Sequence, residues 1–334
     1  MKYCPLLDEN PYGAYKIIGE KMLAAYPSIE REGKHKWSQY AKALSQSIRT
    51  ERFRRKRKSL PVTPQEQQLP PKRFTVGKHI VTDASNALPE EEFEKHVLEI
   101  QKVWNTSACS SSHVDMLLRE SYCNRRQWLP YLPNGKLAPI LEKFPCFQES
   151  SYVLREVERM LLCEVSTWKD RLEKIVEALS DQVPSSACNN DNDQHTVDII
   201  RFIEKSVAFK KGKGIKSKSC FTVADFNISD ADKNDLCTSS ELSPPHIVMF
   251  LDGSKYVDGY IVGDNCKIAC KNLKSAGEIF ITLLACYYCF DFSYPRIYSQ
   301  LLGFLQQCVM HDQYHLEKSS DYKHFIAQCQ SFIG

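Results

Sequence analysis

Apolar residues recur at steps of three and four along residues 151–181, which is the spacing of one face of an α-helix. The positions are Val153, Val157, Leu161, Val165, Trp168, Leu172, Val176 and Leu179. The pattern predicts one long amphipathic helix. Such a stripe is compatible with packing inside a helical bundle and with self-association of two copies through residues 151–181, and the spacing leaves both open.

The pattern changes toward the C-terminus. Short apolar runs at residues 247–251, 260–262 and 267–269, separated by glycine and aspartate turns, predict β-strands. Three helices are then expected, at Ala276–Phe290, Arg296–His311 and Tyr322–Phe332. The apolar run at 279–290 is shorter than the about 20 residues that a membrane helix needs, so we expect a buried core helix and no membrane association.

These elements predict an α+β fold that is mostly helical. The chain of 334 residues is long enough for two modest domains. We expect N-terminal helices ending in a basic arm (1–58), a proline-rich linker (59–89), a helical domain (90–207), a basic and polar loop region (208–245) and a small α+β domain (246–334). The first residues contain no apolar stretch of a secretion signal, so we expect an intracellular protein whose 14 cysteines are reduced and mostly packed.

Positive charge is concentrated in one segment, residues 49–58, which we call the basic arm. It holds seven basic residues and one acidic residue, so its net charge is +6, whereas the whole chain carries +3. The basic residues are Arg49, Arg52, Arg54, Arg55, Lys56, Arg57 and Lys58. So dense a run is typical of nuclear import signals and of segments that neutralise nucleic-acid phosphates. A solvated helix end is the alternative.

Part of the chain resembles a known family. The matching pieces are Leu23–Arg55, Leu117–Met160 with its Arg126-Gln127-Trp128 and Phe144-Pro145, and Phe292-Ser293-Tyr294-Pro295 with the helix after it. They are similar to proteins related to sterile alpha motif domain-containing protein 3, especially the set expanded in fish. The sterile alpha motif itself is absent here, so its polymerising role does not carry over. The resemblance implies a non-enzymatic intracellular protein and supplies no catalytic residues.

Two groups of residues approach the spacing of metal sites. Cys266, Cys270, Cys286 and Cys289 form a Cys-x3-Cys pair and a Cys-x2-Cys pair, close to a zinc pattern. The second pair lies in the apolar helix, so we expect packed thiols and no metal. Cys308, His311 and His315 fall on one face of the predicted helix, and His311-Asp312-Gln313-Tyr314-His315 partly matches a zinc protease motif. Asp312 is shorter than the glutamate which that motif requires, and we expect a histidine pair at a helix end.

Other catalytic patterns are incomplete. Lys210-Lys211-Gly212-Lys213-Gly214 lacks the glycine and hydroxyl spacing of a phosphate-binding loop, so a flexible basic loop is expected and no cofactor. Asp252, after a predicted strand, could begin the carboxylate set of a metal-dependent nuclease, with Glu278 and Asp291 as further members. A tight Asp-Gly turn explains Asp252 more simply.

We therefore expect a non-enzymatic intracellular interaction protein, in the nucleus or the cytoplasm. Its expected partners are other proteins, together with nucleic acid contacted through the basic arm. The alternative from another class is a nuclease-like enzyme that uses Asp252.

Overall fold

The computed structural model describes residues 11–25, 86–106, 111–183, 193–209, 219–240 and 243–333. The chain divides into two compact units, residues 1–69 and 70–334. In the first unit the described element is helix α1, Pro11–Ala25. The basic arm and most of the predicted linker lie outside the described residues.

The second unit begins with helices and adds a small sheet late in the chain. Its helices before the sheet are α2 (Glu90–Trp104), α3 (Ser111–Glu120), α4 (Tyr122–Trp128), α5 (Ala138–Lys143), α6 (Ser150–Leu161), α7 (Val165–Leu179) and α8 (Asp193–Val207). There follow β1 (Phe221–Asp225), α9 (Asp230–Leu236), β2 (His246–Asp252), β3 (Lys255–Gly263) and β4 (Cys266–Ala269). The last helices are α10 (Ala276–Cys289), α11 (Ser299–Cys308) and α12 (Ser320–Ile333). The fold is thus α+β and mostly helical, as the sequence predicts.

The prediction of one long helix over Val153–Leu179 is wrong, because two helices occupy this stretch. Helix α6 ends at Leu161, and Leu162 takes the left-handed conformation with φ of 51°. Helix α7 then begins at Val165. Most of the apolar stripe packs inside the chain: Val153, Val157, Val165, Trp168, Leu172 and Leu179 are buried, and Leu161 and Val176 are partly buried. Self-association through residues 151–181 stays a prediction.

The sheet has the order β1-β2-β3-β4, with β1 parallel to β2 and the other pairs antiparallel. The three predicted strands correspond to β2, β3 and β4, whereas β1 lies in a stretch predicted as loop. Asp252 pairs with Lys255, and the turn between them contains Gly253 at φ of 59°, a conformation that glycine adopts without strain. The expected Asp-Gly turn is therefore present.

Helix α10 is the centre of the second unit. Every one of its residues, Ala276 to Cys289, is buried. It packs against α6, α7 and α8 and against β2 and β3. Apart from Glu278 in its first turn, this helix carries apolar residues on all its faces, and such a helix is stable only when it is enclosed on every side. The prediction of a buried core helix is confirmed.

One hydrophobic core joins the helices of residues 90–207 to the C-terminal elements, from Phe93 to Cys329. The opposite side of the sheet carries a small second cluster formed by Val248, Phe250 and Val262, with partly buried residues of the α9 region against it. Within the described ranges, no helix combines the length and hydrophobicity needed to cross a bilayer.

Candidate functional site

Two basic segments stand out in the sequence. The basic arm of residues 49–58 and the lysine-rich stretch of residues 210–218 both lie outside the described residues.

The four cysteines of the zinc-like pattern are free thiols packed in the protein. Cys266 is in β4, Cys270 follows it, and Cys286 and Cys289 lie on the buried helix α10. The thiol of Cys289 donates to the carbonyl oxygen of Val153 at 3.3 Å. Burial raises the pKa of all four thiols, the reverse of what a nucleophilic or metal-binding cysteine requires. Among the described residues, no three His, Cys, Asp or Glu side chains are grouped to hold a metal ion.

The prediction that Cys308, His311 and His315 share one helical face is wrong. Helix α11 ends at Cys308, and His311 has a positive φ of 57°, so the chain turns away before the second histidine. Burial, together with the nearby charge of Arg171, lowers the pKa of His311.

The three carboxylates of the nuclease hypothesis occupy different environments. Asp252 lies at the end of β2 and accepts a 3.3 Å hydrogen bond from the side-chain amide of Asn227. Glu278 is in the first turn of α10, whereas Asp291 follows the end of the same helix. They therefore lie at opposite ends of a helix of 14 residues, which is about 20 Å long. They cannot bind one pair of metal ions.

A large cleft lies between α7, α8 and the start of α10. Its volume is about 700 Å³. Polar residues dominate its lining, and they include Lys169, Glu173, Glu177, Ser180, Asp181, Asp193, His195, Lys274 and Glu278. Because these residues are scattered over more than a hundred positions, no local sequence pattern marks the cleft.

Asp193 anchors the start of α10 from within this cleft. Its Oδ1 accepts a 2.6 Å hydrogen bond from the backbone N–H of Ala276, and its Oδ2 accepts a 2.7 Å bond from the N–H of Tyr256. Ser275, which precedes the helix, makes no side-chain capping bond. The carboxylate of Asp193 thus replaces a local cap and also lies favourably at the positive end of the helix dipole.

A serine and a histidine meet in the same cleft, but their hydrogen bonds are structural. The Oγ of Ser180 lies 3.0 Å from Nε2 of His195 and donates its own proton to the carbonyl of Val176 at 2.8 Å. The hydroxyl has one proton to give, so it accepts from the histidine. A histidine acting as general base on Ser180 would need the opposite arrangement.

Glu278, the buried acid of the cleft, is also engaged in contacts that stabilise the fold. Glu278 pairs with the ammonium of Lys169 at 3.0 Å and accepts a 3.2 Å bond from the backbone N–H of Lys274. Glu173, Glu177 and Asp181 remain exposed along the rim. The cleft therefore presents an acidic rim over a floor whose polar groups stabilise the fold.

A second polar group, unforeseen from the sequence, joins α3, α4 and α6. Arg125 and Glu156 are almost completely buried, and the two carboxylate oxygens of Glu156 lie 2.6 and 2.7 Å from Nη2 of Arg125. Arg159 adds a 2.5 Å bond to Glu156 and an ion pair to Asp115. Toward the surface, Arg119 and Arg155 approach Asp115 at 3.7 and 3.6 Å. We call these six residues the arginine cluster.

No protein-family model, no curated protein and no solved structure matches the chain. The resemblance to proteins related to sterile alpha motif domain-containing protein 3 therefore stays a prediction.

Proposed function

We propose that this chain is a non-enzymatic intracellular interaction protein that contacts nucleic acid through its basic arm. The observation that carries the proposal is the net charge of +6 within ten residues, in a chain whose other residues sum to −3. Contacts between such a segment and phosphates release counterions, so binding would be strong at low salt and independent of sequence. The same segment would serve import into the nucleus.

The described cleft supports a binding role more than a catalytic one. Asp193, Ser180 and His195, which lie together on the floor of the cleft, are each engaged in a hydrogen bond that stabilises the fold. The cysteine thiols with shifted pKa values are all shifted upward by burial, including Cys146 to about 12. Thiol nucleophiles require a lowered pKa.

The experiment compares the wild type with a variant in which Arg54, Arg55, Lys56 and Arg57 are replaced by alanine. Binding to a 20-base-pair DNA duplex and to an RNA of the same length is measured at 50 and 200 mM salt. Because the variant removes four cationic side chains that would each bind a phosphate, the slope of log K against log salt should fall by about 3 to 4. Replacement of Lys210, Lys211, Lys213 and Lys216 by alanine is the matched control, because it removes four positive charges from the other basic segment.

Localisation of the tagged chain is the second readout. A nuclear wild type with a cytoplasmic arm variant would support import through the arm. Unchanged nucleic-acid binding and unchanged localisation in the arm variant would overturn the proposal.

A further inference from the structure

The arginine cluster holds more positive charge than its own carboxylates neutralise. Four arginines, at positions 119, 125, 155 and 159, share two carboxylates, Asp115 and Glu156. The inner arginines alone satisfy both acids, since Arg125 grips Glu156 with two nitrogens and Arg159 bridges Glu156 and Asp115. A surplus of two positive charges therefore remains on the outer side.

The surplus belongs to Arg119 and Arg155, which face solvent. Their side chains are 75% and 38% exposed, against 2% for Arg125 and 16% for Arg159. Their distances to Asp115, 3.7 and 3.6 Å, exceed those of direct hydrogen bonds. The Nε of Arg155 donates to the carbonyl oxygen of Ser151 at 3.3 Å, so the terminal N–H groups of the two guanidinium groups are the donors that remain for a ligand.

Helix geometry brings these two side chains to one place. Asp115 and Arg119 are one turn apart on α3, and Arg155 and Arg159 are one turn apart on α6. Asp115 lies between the helices and is contacted from both. Arg155 is also held over the ring of Tyr152 at 4.7 Å. The outer pair is thus positioned by rigid helices, which favours a ligand of fixed geometry.

We propose that Arg119 and Arg155 form a second nucleic-acid contact that binds the phosphodiester backbone. Arginine forks match the oxygens of phosphate, and two of them on adjacent helices suit neighbouring phosphates of one strand. The ring of Tyr152 is buried and cannot stack on a base, so the contact carries no base preference. This site is separate from the basic arm.

The test uses the full chain and a 20-base-pair DNA duplex across a salt series. We expect Arg119→Ala with Arg155→Ala to lower the slope of log K against log salt by about 1 to 2. Arg119→Lys with Arg155→Lys should restore most of the slope and less of the affinity. Arg296→Ala is the matched control: its side chain is 71% exposed and its contact with Glu317 is 3.8 Å, but it lies outside the cluster. Its slope should equal that of the wild type.

Combining Arg119→Ala and Arg155→Ala with the arm variant distinguishes the contribution of the cluster from that of the arm. Residual salt-dependent binding in the arm variant that disappears after replacing Arg119 and Arg155 supports the cluster. Loss of all binding in the arm variant alone would overturn the cluster and leave the arm intact as the contact. Equal losses with Arg296→Ala, or tighter binding to vesicles of anionic lipid than to the duplex, would also overturn it. Thermal unfolding of each variant confirms that the fold is retained.

Discussion

Asp193 caps a helix that begins 83 residues later in the chain, through a 2.6 Å hydrogen bond from the backbone N–H of Ala276. Its second oxygen accepts from the N–H of Tyr256, so one carboxylate holds both α10 and β3 to the start of α8. We expect Asp193→Ala to lower the free energy of unfolding by about 2 kcal/mol, the upper end of a lost helix cap. Urea denaturation measures this loss.

Asp181→Ala is the control for that prediction, because Asp181 lines the same cleft but is exposed. Equal losses in the two variants would show that the negative charge of the cleft, rather than the two hydrogen bonds, is responsible.

Gly303 on α11 lies directly under the ring of Tyr314. A Cβ at this position would come within 2.7 Å of the ring. Alanine in a helix is normally favoured over glycine by about 1 kcal/mol, but overpacking costs about 1–3 kcal/mol. Gly303→Ala should therefore be destabilising when measured by thermal unfolding. Gly277→Ala should be milder, since its nearest neighbour is a flexible leucine methyl at 3.3 Å.

The tyrosine ring itself provides the decisive comparison. In a Tyr314→Ala background the obstacle is gone, and Gly303→Ala should become neutral or stabilising. A loss of the same size in both backgrounds would contradict the packing explanation.

The pair of Arg125 and Glu156 is buried, with 2% and 4% of the side chains exposed. Glu156→Ala would leave Arg125 without its main partner, and removing one member of a buried pair costs about 3–5 kcal/mol. Chemical denaturation should show a loss of that size. Replacing Arg125 with Met and Glu156 with Leu together should cost less than Glu156→Ala alone. The exposed Glu177→Ala, expected to change stability by less than about 0.5 kcal/mol, is the control.

His96 makes the stability of the second unit depend on pH. Burial lowers the pKa of His96, but the 2.8 Å contact with Glu120 and the bond to the carbonyl of Glu92 outweigh it, so the pKa is raised above 6.5. A raised pKa in the folded state means that this stabilisation is complete below pH 6.5 and is lost as the pH rises through the folded value.

Glu120→Gln removes the charge that raises this pKa. The wild type should exceed the variant in stability at pH 5.5, and the difference should shrink by pH 8. Glu142→Gln, an exposed acid without that contact, should show no such trend. A difference that grows with pH would contradict the assignment.

The hydrophobic pattern of the sequence predicts those elements of the fold whose structure depends mainly on neighbouring residues. Helix α10 is recognisable because nearly all its residues are apolar, on every face, and β2 to β4 because short apolar runs alternate with turns. The break at Leu162 is hidden, since no glycine or proline marks it and the apolar spacing continues from Leu161 to Val165. The left-handed conformation is unfavourable for leucine and the Leu162 side chain is exposed, so nothing in the local sequence predicts the break there.

The candidate sites also differ in how far they can be predicted from local sequence. The basic arm is visible as a run of charge, whereas the cleft and the arginine cluster arise from residues far apart in sequence. Asp193 meets Ala276, and Arg125 meets Glu156, only when the helices pack. Neither pairing has a characteristic spacing, so sequence reasoning could not find either.

The central position of α10 dictates how this protein must acquire its structure. Chains are synthesised from the N-terminus, so the helices of residues 90–207 are made well before the helix that they enclose. Until residues 276–289 have been synthesised, the apolar faces of α6, α7 and α8 lack their common partner. The incomplete chain would then expose apolar surface through which it can aggregate. The second unit should consequently unfold in one cooperative transition, and cutting the chain between α8 and β2 should leave neither fragment able to fold alone.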